Sequence, residues 1–100
     1  MRVLMDLHGA PASQNGFDNS GQRGDPNWYN PDDSSNIHRT YIVLEMLSDM
    51  VISWIDEGYM SEYTLYGVEV LNEPAGYFED IWVECRDNFY PNSYLTLRYK

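Results

Sequence analysis

The sequence predicts an α/β fold in which a strand, a helix, a second strand and a second helix follow one another. Two short apolar runs, near residues 3 and 68, are typical of buried strands, and a long amphipathic helical pattern lies between them. Parallel strands need a crossover of this length, so we expect a right-handed βαβ unit. The composition, with 43% hydrophobic and 15% aromatic residues, excludes a disordered chain.

The first strand is predicted over residues 2–8, because residues 3–5 (Val-Leu-Met) form an unbroken apolar run. Residues 9–11 (Gly-Ala-Pro) follow as a strong stop signal. They lack the G-x-G-x-x-G pattern of nucleotide-binding βαβ units, which argues against that class of protein. Met1 lies directly against the strand, so we expect the natural N-terminus to lie further upstream.

Residues 11–33 form a long polar loop that is rich in Gly, Asn, Asp, Ser and Pro. Loops of more than about 12–15 residues in compact domains are usually functional or disordered, and Phe17, Trp28 and Tyr29 argue against disorder. The acidic stretch at residues 25–33 suggests calcium, but its spacing does not match an EF-hand loop and prolines interrupt it. We therefore predict no metal site.

A helix of about five turns is predicted after four consecutive N-cap residues at positions 33–36, and Gly58 ends it. Its apolar side chains recur at steps of three and four, which indicates a stripe that faces the core. The stripe consists of Ile37, Tyr41, Leu44, Leu47, Val51, Trp54 and Ile55.

The second strand is predicted over residues 66–73 and ends at Pro74, which cannot donate to a strand ladder. A second helix follows over residues 78–89, and Pro91 is expected to break it before a further helical segment at residues 92–98. The apolar stripe of the second helix consists of Phe78, Ile81, Trp82, Cys85 and Phe89.

Polar side chains follow both strands at the point where each strand ends. The carboxyl ends of neighbouring parallel strands lie at one edge, about 4.8 Å apart, and α/β folds bind ligands there. We therefore expect His8 to lie near Asn72 and Glu73, under the long loop. A carboxylate beside an amide at this edge is a candidate for acid/base chemistry.

Strand alternation makes a further prediction about two acidic residues. Asp6 and Glu69 share strand faces with core-facing apolar residues, so their carboxylates need partners. Arg2 and Arg39 are poorly placed to provide them, so we expect the partners to lie outside this sequence. A β-bulge near Asn72 is the alternative, because one extra residue changes the direction in which the strand end faces.

The charge excludes two classes of partner. With 16 Asp and Glu against 6 Lys and Arg, and a formal net charge of −10, the chain offers no basic surface for nucleic acid or for an anionic membrane. No apolar run approaches the length of a membrane span, and residues 2–7 are not a signal peptide because Asp6 interrupts them. The single cysteine, Cys85, is expected to be a small buried hydrophobic residue.

Two stretches match one known family. Residues 6–21, Asp-Leu-His-Gly-Ala-Pro-Ala-Ser-Gln-Asn-Gly-Phe-Asp-Asn-Ser-Gly, resemble the loop after the third barrel strand of family 5 glycoside hydrolases, closest to the exo-β-1,3-glucanase branch. Residues 67–74, Gly-Val-Glu-Val-Leu-Asn-Glu-Pro, resemble the fourth strand of that family with its Asn-Glu-Pro signature. The two motifs in this order, around 60 residues apart, are far more specific than the tripeptide alone. Ala12 stands where relatives are expected to carry glycine.

The resemblance implies an incomplete domain. The family fold is a (β/α)8 TIM barrel, of which residues 1–100 would form a partial glycoside hydrolase catalytic domain. The chain would hold the third and fourth strands with their helices, a βαβα piece. A complete barrel needs about 250 residues, so most of it would lie outside this sequence.

The resemblance also assigns roles to residues. Members of the family are retaining enzymes, and Glu73 matches their general acid/base, the proton donor. The substrate-binding positions that it implies are His8, Phe17, Asp18, Asn19 and Asn72. Asn72 would hold the 2-hydroxyl of the sugar, and Phe17 would stack at the entrance. The nucleophilic glutamate of the family follows the seventh strand and is absent from this chain.

The function that the resemblance implies is hydrolysis of O-glycosidic bonds in β-glucans by a retaining β-1,3-glucan exo-hydrolase. The parent would be a secreted enzyme of the cell wall or the extracellular space, although this chain carries no signal peptide. Its partner would be a β-glucan oligosaccharide or polysaccharide, and no cofactor is implied. For the 100 residues alone, the alternative is an inactive barrel fragment or a weak carbohydrate-binding piece without a nucleophile.

Overall fold

A computed structural model describes residues 1–99, so residue 100 of the predicted domain lies outside the described residues. Strand β1 (Val3–Asp6) pairs in parallel with strand β2 (Leu65–Glu69), and helix α1 (Ser35–Asp56) lies between them in the chain. The pairing runs from Val3 opposite Leu65 to Asp6 opposite Glu69. This confirms the predicted α/β class and the parallel strand pair.

Both strands are shorter than predicted, and β2 ends at Glu69 instead of residue 73. The N–H of Leu7 still donates to the carbonyl of Glu69 at 3.1 Å, but the N–H of Asn72 donates back to Leu7 at 2.9 Å. In a regular parallel ladder Leu71 would make that second bond. One extra residue is therefore inserted before Asn72, as in the predicted alternative of a bulge, and the chain leaves the ladder there.

Helix α1 begins where the Asp33 carboxylate accepts a hydrogen bond from the backbone N–H of Ser35 at 2.9 Å. Hydrogen bonding from Ser35 favours the charged carboxylate and so lowers the pKa of Asp33. The helix ends before Gly58, which adopts a left-handed φ of +80° and donates its N–H to the carbonyl of Ile55. The predicted boundaries of this helix are therefore confirmed to within a turn.

The predicted apolar stripe of α1 is confirmed only in part. Ile37, Leu44 and Val51 are buried, and Thr40 joins them although it is polar. Trp54 is exposed, in contrast to the prediction. Much of the remaining apolar surface of the helix is exposed as well, at Ile42, Val43, Met46, Met50 and Ile52.

The C-terminal helical segment is continuous where the sequence predicted a break. It consists of α2 (Glu79–Glu84), one π-helical turn (Cys85–Phe89) and α3 (Tyr90–Arg98). The first N–H after the π turn donates to the carbonyl five residues back, so the hydrogen-bond register shifts by one residue. Pro91 lies in the first turn of α3, directly after this shift in register, and the segment continues through it, so the predicted break is wrong.

Trp28 anchors the long loop in the hydrophobic core. Its ring is fully buried and meets the ring of Phe89 edge-on, with the centroids 4.9 Å apart. Its indole N–H donates to the hydroxyl of Thr40 at 3.0 Å, which satisfies the one polar atom of the side chain. The core cluster consists of Trp28, Ile37, Leu44, Leu71, Ala75, Ile81, Cys85 and Phe89.

The predicted stripe of the second helix is divided between core and surface. Ile81, Cys85 and Phe89 are buried, whereas Phe78 and Trp82 are about half exposed. Cys85 is a buried free cysteine, as predicted. Burial disfavours the charged thiolate and raises the pKa of its thiol to about 11. Within residues 1–99, no helix combines the length and the apolarity that a membrane crossing requires.

Candidate functional site

Glu73 lies beyond the carboxyl end of β2 with its backbone in the left-handed region, at φ +43°. Non-glycine residues rarely adopt this conformation, and a following proline favours extended backbone instead. The other positive-φ residues that are not glycine, Ala12 (+61°) and Ser13 (+67°), belong to the neighbouring loop. Such strain persists only where the surrounding structure imposes it, so neighbouring residues must hold the backbone of Glu73 in this conformation.

Gln14 joins the ends of the two strands. Its side chain is completely buried, and its amide nitrogen donates to the carbonyls of His8 at 2.9 Å and Asn72 at 2.8 Å. Its side-chain oxygen accepts from the N–H of Ala10 at 3.0 Å, and its backbone carbonyl accepts from the N–H of Ala75 at 3.0 Å. One side chain therefore fixes the edge at which the candidate site residues meet.

Asn15 holds the peptide that carries Glu73. The side chain is only 3% exposed, and its amide nitrogen donates to the backbone carbonyl of Glu73 and to the side-chain oxygen of Asn19, both at 3.0 Å. Its side-chain oxygen accepts from the N–H of Phe17 at 2.9 Å. The hydroxyl of Tyr77 reaches the Asn15 carbonyl at 3.3 Å.

The carboxyl group of Glu73 is exposed at the edge, where Asn19 contacts it directly. The amide nitrogen of Asn19 donates to Oε2 of Glu73 at 3.1 Å. The contact joins two residues that lie 54 positions apart in the chain. The structure thus brings together two of the residues that the sequence predicted for the site.

His8 contacts Asn72 on the other side of the site. Its Nδ1 lies 2.7 Å from Oδ2 of Asp6, and its Nε2 lies 3.4 Å from the amide nitrogen of Asn72. An ionised Asp6 accepts only, so Nδ1 carries the proton and Nε2 accepts from the amide; the network assigns this tautomer. The partner of Asp6 is therefore His8, and the expectation that it lies outside this sequence is wrong.

Two further predicted residues lie at the exposed rim of the loop. Asp18 forms a long ion pair with Arg23, at 3.4 Å between Nε and Oδ1, and both side chains are largely exposed. The ring of Phe17 is about half exposed. Neither side chain takes part in the hydrogen bonds that hold Glu73, and both are exposed on the loop.

Sequence reasoning missed the buried polar run of Ser13, Gln14 and Asn15, and it also missed Tyr77. Polar residues in a loop are normally exposed, and nothing local indicates that these three are buried. The one available signal was their position inside the motif at residues 6–21. Among the described residues, no group of three or more His, Cys, Asp or Glu side chains is arranged to hold a metal ion.

The arrangement offers a specific chemistry. Glu73 is an exposed carboxyl on a fixed backbone, and the amides of Asn19 and Asn72 flank it in space and in the chain. A carboxyl so placed can give a proton to a bound oxygen atom and take one back, while the amides bind hydroxyl groups. The aromatic ring of Phe17 adds an apolar surface at the rim.

Comparison with known proteins gives one consistent result, although no protein-family model matches the chain. The chain is 46% identical over 78 residues to glucan 1,3-beta-glucosidase 2 of Candida albicans, a match of 74% of this chain and 15% of that protein. It is 37% identical over 98 residues to the glucan 1,3-beta-glucosidase of Pichia angusta, covering 98% and 20%.

A third relative carries a similar name. The probable glucan 1,3-beta-glucosidase A of Emericella nidulans is 40% identical over 74 residues, a match of 74% of this chain and 16% of that protein. The chain thus spans about a fifth or less of the length of these curated relatives.

Proposed function

This chain is a partial member of the glucan 1,3-beta-glucosidase family, and from that membership we propose that it contributes the acid/base part of an active site that hydrolyses β-glucans. The resemblance found in the sequence is confirmed at the level of this family. The observation that carries the proposal is the geometry of Glu73, whose carboxyl group is exposed while its backbone is held by buried side chains.

In the proposed reaction Glu73 acts twice. It first gives its proton to the glycosidic oxygen while the bond from that oxygen to the anomeric carbon breaks. A second carboxylate attacks the anomeric carbon and forms a glycosyl-enzyme intermediate. Glu73, now ionised, then takes a proton from the water molecule that releases the sugar, which restores the acid.

The second carboxylate is proposed to come from a part of the protein that this chain does not span. Retaining hydrolases need two carboxyl groups about 5–5.5 Å apart. Because the chain covers about a fifth or less of its relatives, there is ample length elsewhere to supply this group. The remainder of a (β/α)8 barrel is proposed to come from the same length.

The neighbouring residues are proposed to bind the sugar. The side-chain nitrogen of Asn72 faces His8. The side-chain oxygen of Asn72 is therefore the atom that would accept a hydrogen bond from the 2-hydroxyl group of the sugar. Asp18 and Asn19 would contact the other hydroxyl groups of the terminal sugar. Phe17 would stack on the C–H face of a sugar ring at the entrance, because its ring is exposed beside the loop.

The proposed substrate is a β-glucan chain with β-1,3 linkages, supported by the names of the fungal relatives. A cell-wall or extracellular location follows from that substrate as part of the same proposal. No cofactor takes part in the proposed mechanism, because proton transfer and carboxylate attack suffice for glycoside hydrolysis.

The experiment uses a chimeric enzyme in which this chain replaces the matching segment of the Pichia angusta relative, with which it shares 98 aligned residues. We expect the chimera to hydrolyse laminarin and to release the β-anomer first, as detected by proton NMR of the fresh product. Glu73→Gln should lower kcat/KM on laminarin at least about 100-fold, because it removes the transferable proton and leaves the shape unchanged.

Glu79→Gln is the matched control, because Glu79 is an exposed glutamate in the first turn of α2. It should leave laminarin hydrolysis unchanged. A chimera that folds but does not hydrolyse laminarin would favour the alternative of an inactive or merely sugar-binding piece. Full activity in the Glu73→Gln variant would rule out the acid/base role.

A further inference from the structure

The conformation of Glu73 requires a cause outside its own sequence neighbourhood. Its left-handed φ of +43° costs energy, and Pro74 after it does not favour that conformation. The last backbone bond between the two strand ends is made by the N–H of Asn72, so none of these bonds reaches Glu73 itself. The atoms that hold the Glu73 peptide must therefore come from the loop packed against it.

Asn15 provides the contact at the strained residue itself. Its amide nitrogen donates to the carbonyl of Glu73 at 3.0 Å. Two residues further along the chain, the backbone N–H of Ala75 donates to the backbone carbonyl of Gln14, which belongs to the same loop. The Glu73-Pro74 peptide is thus held on both sides by consecutive loop residues.

The orientation of the Asn15 amide is fixed by its partners. The N–H of Phe17 can only donate, so the atom that it meets must be the side-chain oxygen of Asn15. The nitrogen then faces two acceptors, the Glu73 carbonyl and Oδ1 of Asn19. The amide uses both its hydrogens and its oxygen, and the side chain is 3% exposed.

The same amide also acts on the carboxyl group of Glu73. Because its nitrogen donates to Oδ1 of Asn19, the nitrogen of Asn19 is turned toward Oε2 of Glu73, which it meets at 3.1 Å. One side chain therefore restrains the backbone of Glu73 directly and its carboxyl group through one intermediate.

We propose that Asn15 is the positioning residue of the acid/base, which keeps the Glu73 carboxyl aimed at the leaving oxygen of the substrate. The inference rests on the function proposed above for Glu73. Proton transfer needs the donor within hydrogen-bond reach, and a shift of about 1 Å costs about 100-fold in rate. Asn15 itself touches neither the substrate nor the transferred proton.

The test compares two substrates that differ in their need for a proton. The leaving group of phenyl β-glucoside departs well only when it is protonated, whereas that of 2,4-dinitrophenyl β-glucoside departs as a stable anion. In the chimera, we expect Asn15→Asp to lower kcat/KM on the phenyl substrate at least about 10-fold more than on the dinitrophenyl substrate. The aspartate turns a carboxylate oxygen toward two acceptors and so repels both.

Asn36→Asp is the matched control, because it makes the same substitution at an asparagine that only reaches the carbonyl of Asn27, away from the site. It should change kcat/KM on the two substrates by the same small factor. Equal losses on both substrates in Asn15→Asp would overturn the inference, because a smaller fraction of folded enzyme lowers both rates alike.

Glu73→Gln separates the two proposals. If this variant discriminates between the substrates and the Asn15 variants do not, the inference fails and the proposed function stands. If Glu73→Gln does not discriminate, both fail. Should Asn15→Asp not fold, as judged by circular dichroism, the neutral Asn15→Ala is measured in the same way; if neither folds, Asn15 serves folding alone and the inference is overturned.

Discussion

The loop at residues 9–28 is irregular but contains several fully buried residues, whereas helix α1 is regular but largely exposed on one face. Apart from one short 3-10 turn (Asp18–Ser20), the loop has no regular structure, yet four of its residues are less than 4% exposed: Ser13, Gln14, Asn15 and Trp28. Helix α1 is the longest element and exposes a row of large apolar side chains. Regular secondary structure is therefore a poor guide to which part of this chain is firmly held.

The loop is held by hydrogen bonds that fold it onto itself. The N–H groups of Asn27 and Trp28 donate to the carbonyls of Ala12 and Ser13, both at 3.0 Å. Closer to the tip, Gly16 lies so near the opposite side of the loop that an added Cβ atom would clash with the carbonyl oxygen of Gly24. The loop thus acts as a rigid platform on which the candidate site is built.

The largest effect expected from changing the loop comes from removing its anchor in the core. Trp28→Ala should lower the free energy of unfolding by about 3–5 kcal/mol, because it leaves a cavity against Phe89 and deprives Thr40 of its indole partner. Urea denaturation of the chain, followed by circular dichroism, measures the change. A loss below about 1 kcal/mol would mean that the loop is not anchored in the core.

The next effect concerns the polar part of the platform. Gln14→Ala should cost about 2–4 kcal/mol, because it leaves the carbonyls of His8 and Asn72 and the N–H of Ala10 without their side-chain partner. Gln22→Ala is the control, since Gln22 is exposed and its side chain should contribute less than about 0.5 kcal/mol. Equal losses in the two variants would show that burial of Gln14 does not matter.

A smaller effect of opposite sign is expected at Ala12, where the sequence departs from the glycine expected in relatives. Its φ of +61° is unfavourable for any residue with a Cβ atom, so Ala12→Gly should stabilise the chain by about 1 kcal/mol. Ala10→Gly, a neighbour whose φ is not in the left-handed region, should not stabilise. Thermal unfolding of both variants distinguishes strain relief from a general effect of glycine.

The smallest effect is expected on the exposed face of α1. Met46→Gln should change the stability of the chain by no more than about 0.5 kcal/mol, because the side chain of Met46 is 65% exposed. Leu44→Gln on the buried face of the same helix is the contrasting variant and should lower the free energy of unfolding by about 2–3 kcal/mol, because it buries an unpaired amide. If both variants had the same effect, the assignment of the two faces would be incorrect.

The sequence predicted the parts of the fold that depend on local patterns. The apolar residues at positions 3–5 and at positions 68, 70 and 71 indicated the two strands, and the spacing from Ile37 to Val51 indicated the helix, because period and length are local properties. The helical break predicted at Pro91 was wrong because the rule assumes an α-helical register, and the π turn before Pro91 shifts that register.

The site was predictable only as a meeting of strand ends. Parallel pairing placed His8 near Asn72, as observed, since strand direction follows from the βαβ order. The contacts of Gln14 and Asn15 with residues 58 positions later depend on how the loop packs, and loop packing leaves no periodic signal. The pair of Asp6 and His8 could have been found, because residues two apart in a strand share one face.

The most direct test of the central claim, that the buried loop holds the Glu73 peptide, is hydrogen exchange at the amide of Ala75 in the 100-residue chain, measured by NMR. This N–H donates to the carbonyl of Gln14 immediately after the Glu73-Pro74 pair. We expect its protection to lie within about tenfold of that of Leu44 in the middle of α1. Exchange of the Ala75 amide at the rate of an unstructured peptide, while Leu44 stays protected, would contradict the account.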